Sequence, residues 1–262
     1  MEQLNVDKAE LVRRLQAIKR MGWVHTGRSR NDGSVGNTLE DLLGIRENNF
    51  SIANTVDWEL KTQRAKTSSL ITLFHMEPKP RNPSVVAGYL LPRFGWAHDE
   101  AGRKYPAGEK SFRATVAGNA FTGRGLKVSV NSVARRIEIL YDPARVSARY
   151  AAWREELKAI GEGAAQRLAY WDFDEVAKKC VGKIRNAVFV VADSRKAGGQ
   201  EEFRYRKITL LEDFAFNNLL RAIINGYIFV DFDARTGHNH GTKFRIAQNS
   251  WPVLYNRVTE IE

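Results

Sequence analysis

Val56-Asp57-Trp58-Glu59-Leu60-Lys61-Thr62 is the stretch on which the fold turns. Side chains of a strand point alternately to its two faces, so Val56, Trp58 and Leu60 fall on one side and Asp57, Glu59 and Lys61 on the other. The first set makes a core face. The second sets two acids and an ammonium side by side on the same strand. Charges withdrawn from water are costly unless they pair or hold a metal ion. The plain reading is an edge strand with a surface Glu/Lys pair. The chemical reading is a Glu-x-Lys site for a divalent cation.

Phosphodiester hydrolysis is a reaction that uses such a site. It needs a divalent ion to neutralise the phosphate and acidify the attacking water. Magnesium prefers carboxylate and carbonyl oxygens plus water. Glu59, the main-chain carbonyl of Leu60 and an upstream oxygen ligand supply that chemistry. Lys61 then orients the water or stabilises the developing charge.

Working outward, the spacing of Leu11, Leu15 and Ile18 predicts an amphipathic helix over 7–21, capped near Asp7 and stopped at Gly22. A loop over 25–36 carries Arg28 and Arg30, and Thr38 opens a short helix ending at Gly44. Downstream, 70–75 reads as an apolar strand and 76–110 as a proline-punctuated region with one element near 85–91. Strands are expected at 112–116, 126–131 and 135–141, the last two as a hairpin. A long Ala-rich helix over 146–168 and a helix over 174–183 precede strands at 187–192 and 202–210. A helix over 212–225, a strand over 227–233, a polar turn over 234–241 and a strand over 242–247 complete the pattern. The class is α/β, with a central mixed β-sheet flanked by helices.

At 262 residues the chain is long enough for one large domain or two lobes. Apolar residues are 43% and charged residues 27%, with no apolar run near the roughly 20 residues needed to span a bilayer. The N-terminal residues lack a signal-peptide pattern, and the one cysteine, Cys180, excludes an internal disulfide; a reducing cytoplasm is the expected location. The net charge of +11 favours a polyanionic partner, nucleic acid first, over an anionic metabolite.

Three blocks carry a family resemblance: Gly36-Asn37-Thr38-Leu39-Glu40-Asp41-Leu42-Leu43, then Glu59-Leu60-Lys61-Thr62 with Ser69-Leu70-Ile71-Thr72-Leu73-Phe74, and finally His240-Gly241-Thr242-Lys243-Phe244-Arg245-Ile246. In order and spacing the chain resembles the MvaI/BcnI restriction endonucleases, of the MutH-like branch of the PD-(D/E)XK nucleases. The resemblance implies that fold as a single endonuclease domain, 1–262. Its catalytic lobe is centred on 1–125 and its recognition lobe lies largely in the C-terminal half, including 227–248, around a DNA-binding cleft.

By position, Glu40, Glu59 and Lys61 match the family's catalytic residues, and Asn54 stands where the family has aspartate. The metal set is then Asn54, Glu59 and the Leu60 carbonyl, for Mg2+. Asparagine keeps a carbonyl oxygen but loses the charge, which weakens metal binding. Three readings stay open: a working natural variant, Asp57 acting in its place, or an inactivating exchange.

The turn around His238–Arg245 is rich in donors suited to guanine O6 and N7. Read without the family it is a solvated hairpin turn, and its two histidines lack a third ligand for a metal site. The resemblance makes His75, Arg235, His238, His240 and Arg245 base readers, and Arg28, Arg30, Lys66, Arg124 and Lys243 backbone contacts that position rather than specify. It also implies a type II restriction endonuclease acting as a monomer on double-stranded DNA. The site is a short CC-N-GG-type sequence, cut by sequential strand nicking and paired with a cognate DNA methyltransferase. A MutH-like mismatch-repair nicking enzyme and a catalytically silent DNA-binding variant are the alternatives.

Overall fold

The structure is a computed structural model that describes residues 7–27, 33–44, 58–65, 67 and 69–262. They fall into two compact units that interleave along the chain: residues 1–69, 180–215 and 252–262 in the first, and 70–179 with 216–251 in the second. In this division 70–125 belongs with 216–251, and 180–215 joins the N-terminal unit. Strand pairing is the reason. Glu59–Arg64 runs parallel to Ala187–Ala197, whereas Ile71–His75 pairs with Lys243–Ile246.

The first unit is a mixed five-stranded sheet. Gln200–Phe214 pairs along one edge with Ala187–Ala197 and along the other with Val24–His25 and Tyr255–Ile261; Ala187–Ala197 in turn pairs with Glu59–Arg64. Helix Lys8–Arg20 starts where Asp7 accepts a hydrogen bond from the Glu10 amide, and it buries Leu11, Leu15 and Ile18 as its spacing predicts. Helix Ser34–Leu43 adds Val35, Leu39 and Leu43 to the same core, which also takes Trp58 and Leu60. The helix begins four residues earlier than expected. Its first residues are tied to the sheet: the Ser34 hydroxyl donates to Glu201, and Tyr205 donates to the Val35 carbonyl.

The second unit carries two sheets. Its larger one has the order Ile71–His75, Lys243–Ile246, Ile228–Arg235, Lys110–Ala117, Trp96–Ala97, with His238–Asn239 folding back on Ile228–Arg235. The other is Arg124–Asn131, Arg136–Val146 and Gln166–Asp172, and its first two strands form the expected hairpin. The long helix expected over 146–168 is corrected. Only Ala151–Ala159 is α-helical, Gly161 turns the chain at φ 83°, and Gln166–Asp172 is a strand held by Arg136–Val146. The helix expected over 212–225 is shortened to Phe216–Ile224, because Gln200–Phe214 stays extended between strand partners on both sides. The strand Tyr255–Ile261 was not anticipated. Among the described residues no helix is long and apolar enough to cross a membrane.

Candidate functional site

Glu59 opens its strand, and its amide donates to the Asn186 carbonyl at 2.9 Å. Parallel register sets Glu59 opposite Ala187. The helix Phe173–Ile184 ends three residues before Ala187, so its last turn is delivered beside the Glu59 carboxylate. Glu59 is 1% exposed, and Lys61 Nζ lies 2.5 Å from its Oε1. Lys183 Nζ lies 3.2 Å from Oε2. That second contact has ion-pair distance without hydrogen-bond alignment, so Oε2 is buried with no donor directed at it. Both ammonium side chains keep partial access to solvent.

Glu40 is carried by the helix Ser34–Leu43, which packs closely on the strand through Thr62, on the Trp58 and Leu60 face rather than the Glu59 and Lys61 face. A Cβ at Gly36 would stand 3.1 Å from Thr62 Oγ1, tighter than a side chain accepts without displacement. Glu40 lies four residues on, on the same helical face as Gly36, and is half-buried. Leu60 belongs to the core, with Trp58. Asn54 and Asp57 lie outside the described residues, as do Arg28, Arg30 and Lys66.

The donor chemistry suits a hard cation. A buried carboxylate oxygen with no hydrogen-bond donor matches the oxygen preference of magnesium, which keeps several of its waters and needs few protein ligands. Among the described residues, no cluster of three or more His, Cys, Asp or Glu side chains forms a self-sufficient metal site.

The second unit gathers the other predicted residues and separates them into two kinds. His75 ends its strand exposed, opposite Lys243, and its ring lies 3.7 Å from the position of a Cβ on Gly241. His238 and His240 are exposed, their rings edge-on with centroids 4.2 Å apart. Their turn is held firmly: the His240 amide donates to the Asp233 carbonyl at 3.0 Å, and the Thr242 amide donates to Glu77 Oε1 at 2.7 Å. His238 and His240 thus stand on a braced turn, with the His75 ring beside its Gly241.

The cations nearby are already engaged. Arg245 donates to Asp231 Oδ2 at 3.0 Å and to the Leu70 carbonyl at 2.9 Å. Lys243 pairs with Asp233 at 3.4 Å, and Arg113 takes the other oxygen of that carboxylate at 2.9 Å. Arg235 donates to the buried Glu109 at 3.0 Å and stacks on Tyr105. Arg124 is not presented as a free backbone contact. Its guanidinium sits 3.8 Å from the Trp96 ring centroid and 3.9 Å from that of Tyr150, and burial lowers its pKa.

Sequence reasoning missed Lys183, Glu77, Asp231 and Asp233. Asp231 and Asp233 had a readable signal, because two acids at i and i+2 on a predicted strand share a face and face cations on its partners. Lys183 had none, since only the parallel pairing brings it to Glu59.

A model of the MvaI/BcnI restriction endonuclease family matches residues 12–255. Two solved structures are similar in fold. One, a complex of restriction endonuclease MvaI with its cognate DNA substrate, has a TM-score of 0.74 at 24% identity, covering 98% of this chain and 100% of that one. The other, MvaI in the absence of DNA, has a TM-score of 0.57 at 22% identity over the whole of both chains. No curated protein matches the chain.

Proposed function

The chain belongs to the MvaI/BcnI restriction endonuclease family and has the PD-(D/E)XK fold, and on that premise we propose a type II restriction endonuclease whose active site is built on Glu59, Lys61 and Glu40. The observation that carries this reading is the buried Glu59 carboxylate, paired with Lys61 through one oxygen and lacking a hydrogen-bond donor at the other. Glu59, the Leu60 carbonyl and Asn54 are the proposed holders of Mg2+. The ion supplies Lewis-acid polarisation of the phosphate and acidification of the attacking water.

The chain's own groups do the rest. Lys61, anchored by Glu59, holds the attacking water and stabilises the negative charge that gathers as the water oxygen bonds to phosphorus and the deoxyribose oxygen departs. Glu40 adds a second acid beside the same strand. Duplex DNA is the substrate, in keeping with the net charge of +11. His75, His238 and His240 read base edges, because their rings are exposed on a held surface and neutral imidazole both donates and accepts. Arg245, Arg235 and Lys243 hold that surface through their acids, and Arg124 acts within its aromatic cage.

A CC-N-GG-type site, monomeric action by sequential nicking, a cytoplasmic location and a partner methyltransferase complete the reading. Their support is membership of the family. Supercoiled plasmid incubated with Mg2+ and with wild type, Glu59→Ala, Lys61→Ala or Asn54→Asp protein tests it. Expected are linear product with defined ends and a nicked intermediate from wild type. Glu59→Ala and Lys61→Ala should lose roughly 10²–10³-fold in rate, and Asn54→Asp should cleave at lower Mg2+. Cleavage that survives both alanine exchanges sinks the assignment.

A further inference from the structure

We propose that Lys183 is a further active-site residue, a positioning ammonium that occupies the Glu59 Oε2 side of the carboxylate and must be displaced when a divalent cation binds. The inference rests on the active site proposed above and adds to it a built-in competitor for the metal.

Two ammonium groups bracket one carboxylate. Lys61, at 2.5 Å from Oε1, is the residue the Glu-x-Lys pattern supplies. Lys183 comes from a different element and points its side chain, 19% exposed, at a carboxylate that is 1% exposed. A lysine in the last turn of a helix is ordinarily turned to solvent, where the carbonyl end of the helix already favours it. Here the ammonium instead lies 3.2 Å from an oxygen to which it makes no aligned hydrogen bond. That geometry is electrostatic neutralisation without a directed bond, so the contact holds the anion in place and yields readily. The same oxygen is the hard donor a divalent ion would take. Lys183 and the ion therefore compete for one position, and the released ammonium, at the rim of the site, becomes free to meet a phosphate of bound DNA. Metal and DNA binding are then coupled through one side chain.

Removing the competitor should tighten metal binding in the absence of DNA, where loss of an ordinary supporting residue weakens it. Mn2+ affinity of the DNA-free protein, measured by electron paramagnetic resonance, is expected to rise roughly tenfold in Lys183→Gln and to stay near wild type in Lys183→Arg. A second measurement uses the wild-type chain, so that it does not depend on a variant folding. Labelling of Lys183 by an amine-reactive reagent, read by mass spectrometry, should increase when Mn2+ is added. Unchanged or weaker Mn2+ binding in Lys183→Gln, or labelling that stays level or falls, overturns the proposal. Glu59→Gln separates it from the underlying reading. If that exchange leaves Mn2+ binding intact, the active-site assignment itself fails; if it removes Mn2+ binding while Lys183→Gln leaves it unchanged, only the role of Lys183 fails.

Discussion

Glu59 and Glu162 are both withdrawn from solvent, one in each unit, and their surroundings treat them in opposite ways. Glu162 is saturated: Arg93 donates to Oε1 at 2.5 Å, while Tyr89 and Gln166 donate to Oε2 at 2.8 and 3.0 Å. Burial pushes its carboxyl up, but the hydrogen bonds from Gln166, Tyr89 and Arg93 together outweigh that and leave it below its ordinary value. Glu59 has two flexible ammonium groups and an oxygen without a directed donor. A saturated buried acid holds structure together. An acid neutralised only by movable charge keeps its oxygen available for another cation, and that difference separates a structural carboxylate from a chemical one.

Exchanging each acid for its amide tests the contrast most sharply. Glu59→Gln should cut cleavage roughly 10²–10³-fold with a small effect on thermal unfolding, as is common where a site is built at the expense of stability. Glu162→Gln should do the reverse, lowering stability by about 1–3 kcal/mol while leaving cleavage of folded protein intact. Equal losses of activity at the two positions would erase the distinction.

A smaller effect lies in acid. Glu162 ionises in the folded chain below its ordinary value of 4.5, so its contribution is complete above that pH and is lost as pH falls through the lower folded value. Denaturant midpoints of wild type should therefore drop on the acid side of 4.5, with a shallower drop in Glu162→Gln. Asp172 and Glu175, held low chiefly by hydrogen bonds from Lys79, act in the same direction and set the remaining slope.

The smallest effect is alkaline. Burial first, and then Glu162, push Tyr89 up to about 12 from 10.0. A raised folded pKa means stability that is full below 10.0 and declines as pH climbs toward 12. Tyr89→Phe should remove that part of the alkaline decline, which a pH series of unfolding midpoints reads directly.

The sequence was legible where local pattern and burial agree. The spacing of Leu11, Leu15 and Ile18 marked a helix that the structure contains, and the apolar run from Ala187 marked a core strand. The alternation of Trp58 and Leu60 with Glu59 and Lys61 marked the strand at the candidate site, and Gly44 marked the end of the helix that bears Glu40. It failed where pairing partners decide. Gln166–Asp172 has no strand signature of its own strong enough to outweigh an Ala-rich prelude, and it is extended because Arg136–Val146 pairs with it. The pairing of Arg245 with Asp231 was not readable, because that acid stands fourteen residues away on the neighbouring strand. Lys183 was unreadable for a similar reason, with a helix, a strand start and parallel register all standing between it and Glu59.

The interleaving of the units also orders events in time. Glu59–Arg64 emerges from the ribosome early, but the neighbour that gives it a sheet, Ala187–Ala197, and the strands Gln200–Phe214 and Tyr255–Ile261 beyond it come after the whole of 70–179 has been made. A nascent chain therefore holds the Glu-x-Lys strand without its scaffold while 70–179 is being made, and the contacts that complete the unit are distant in sequence and slow to form. Competence to cut DNA waits on Ala187–Ala197 and the strands that pair beyond it.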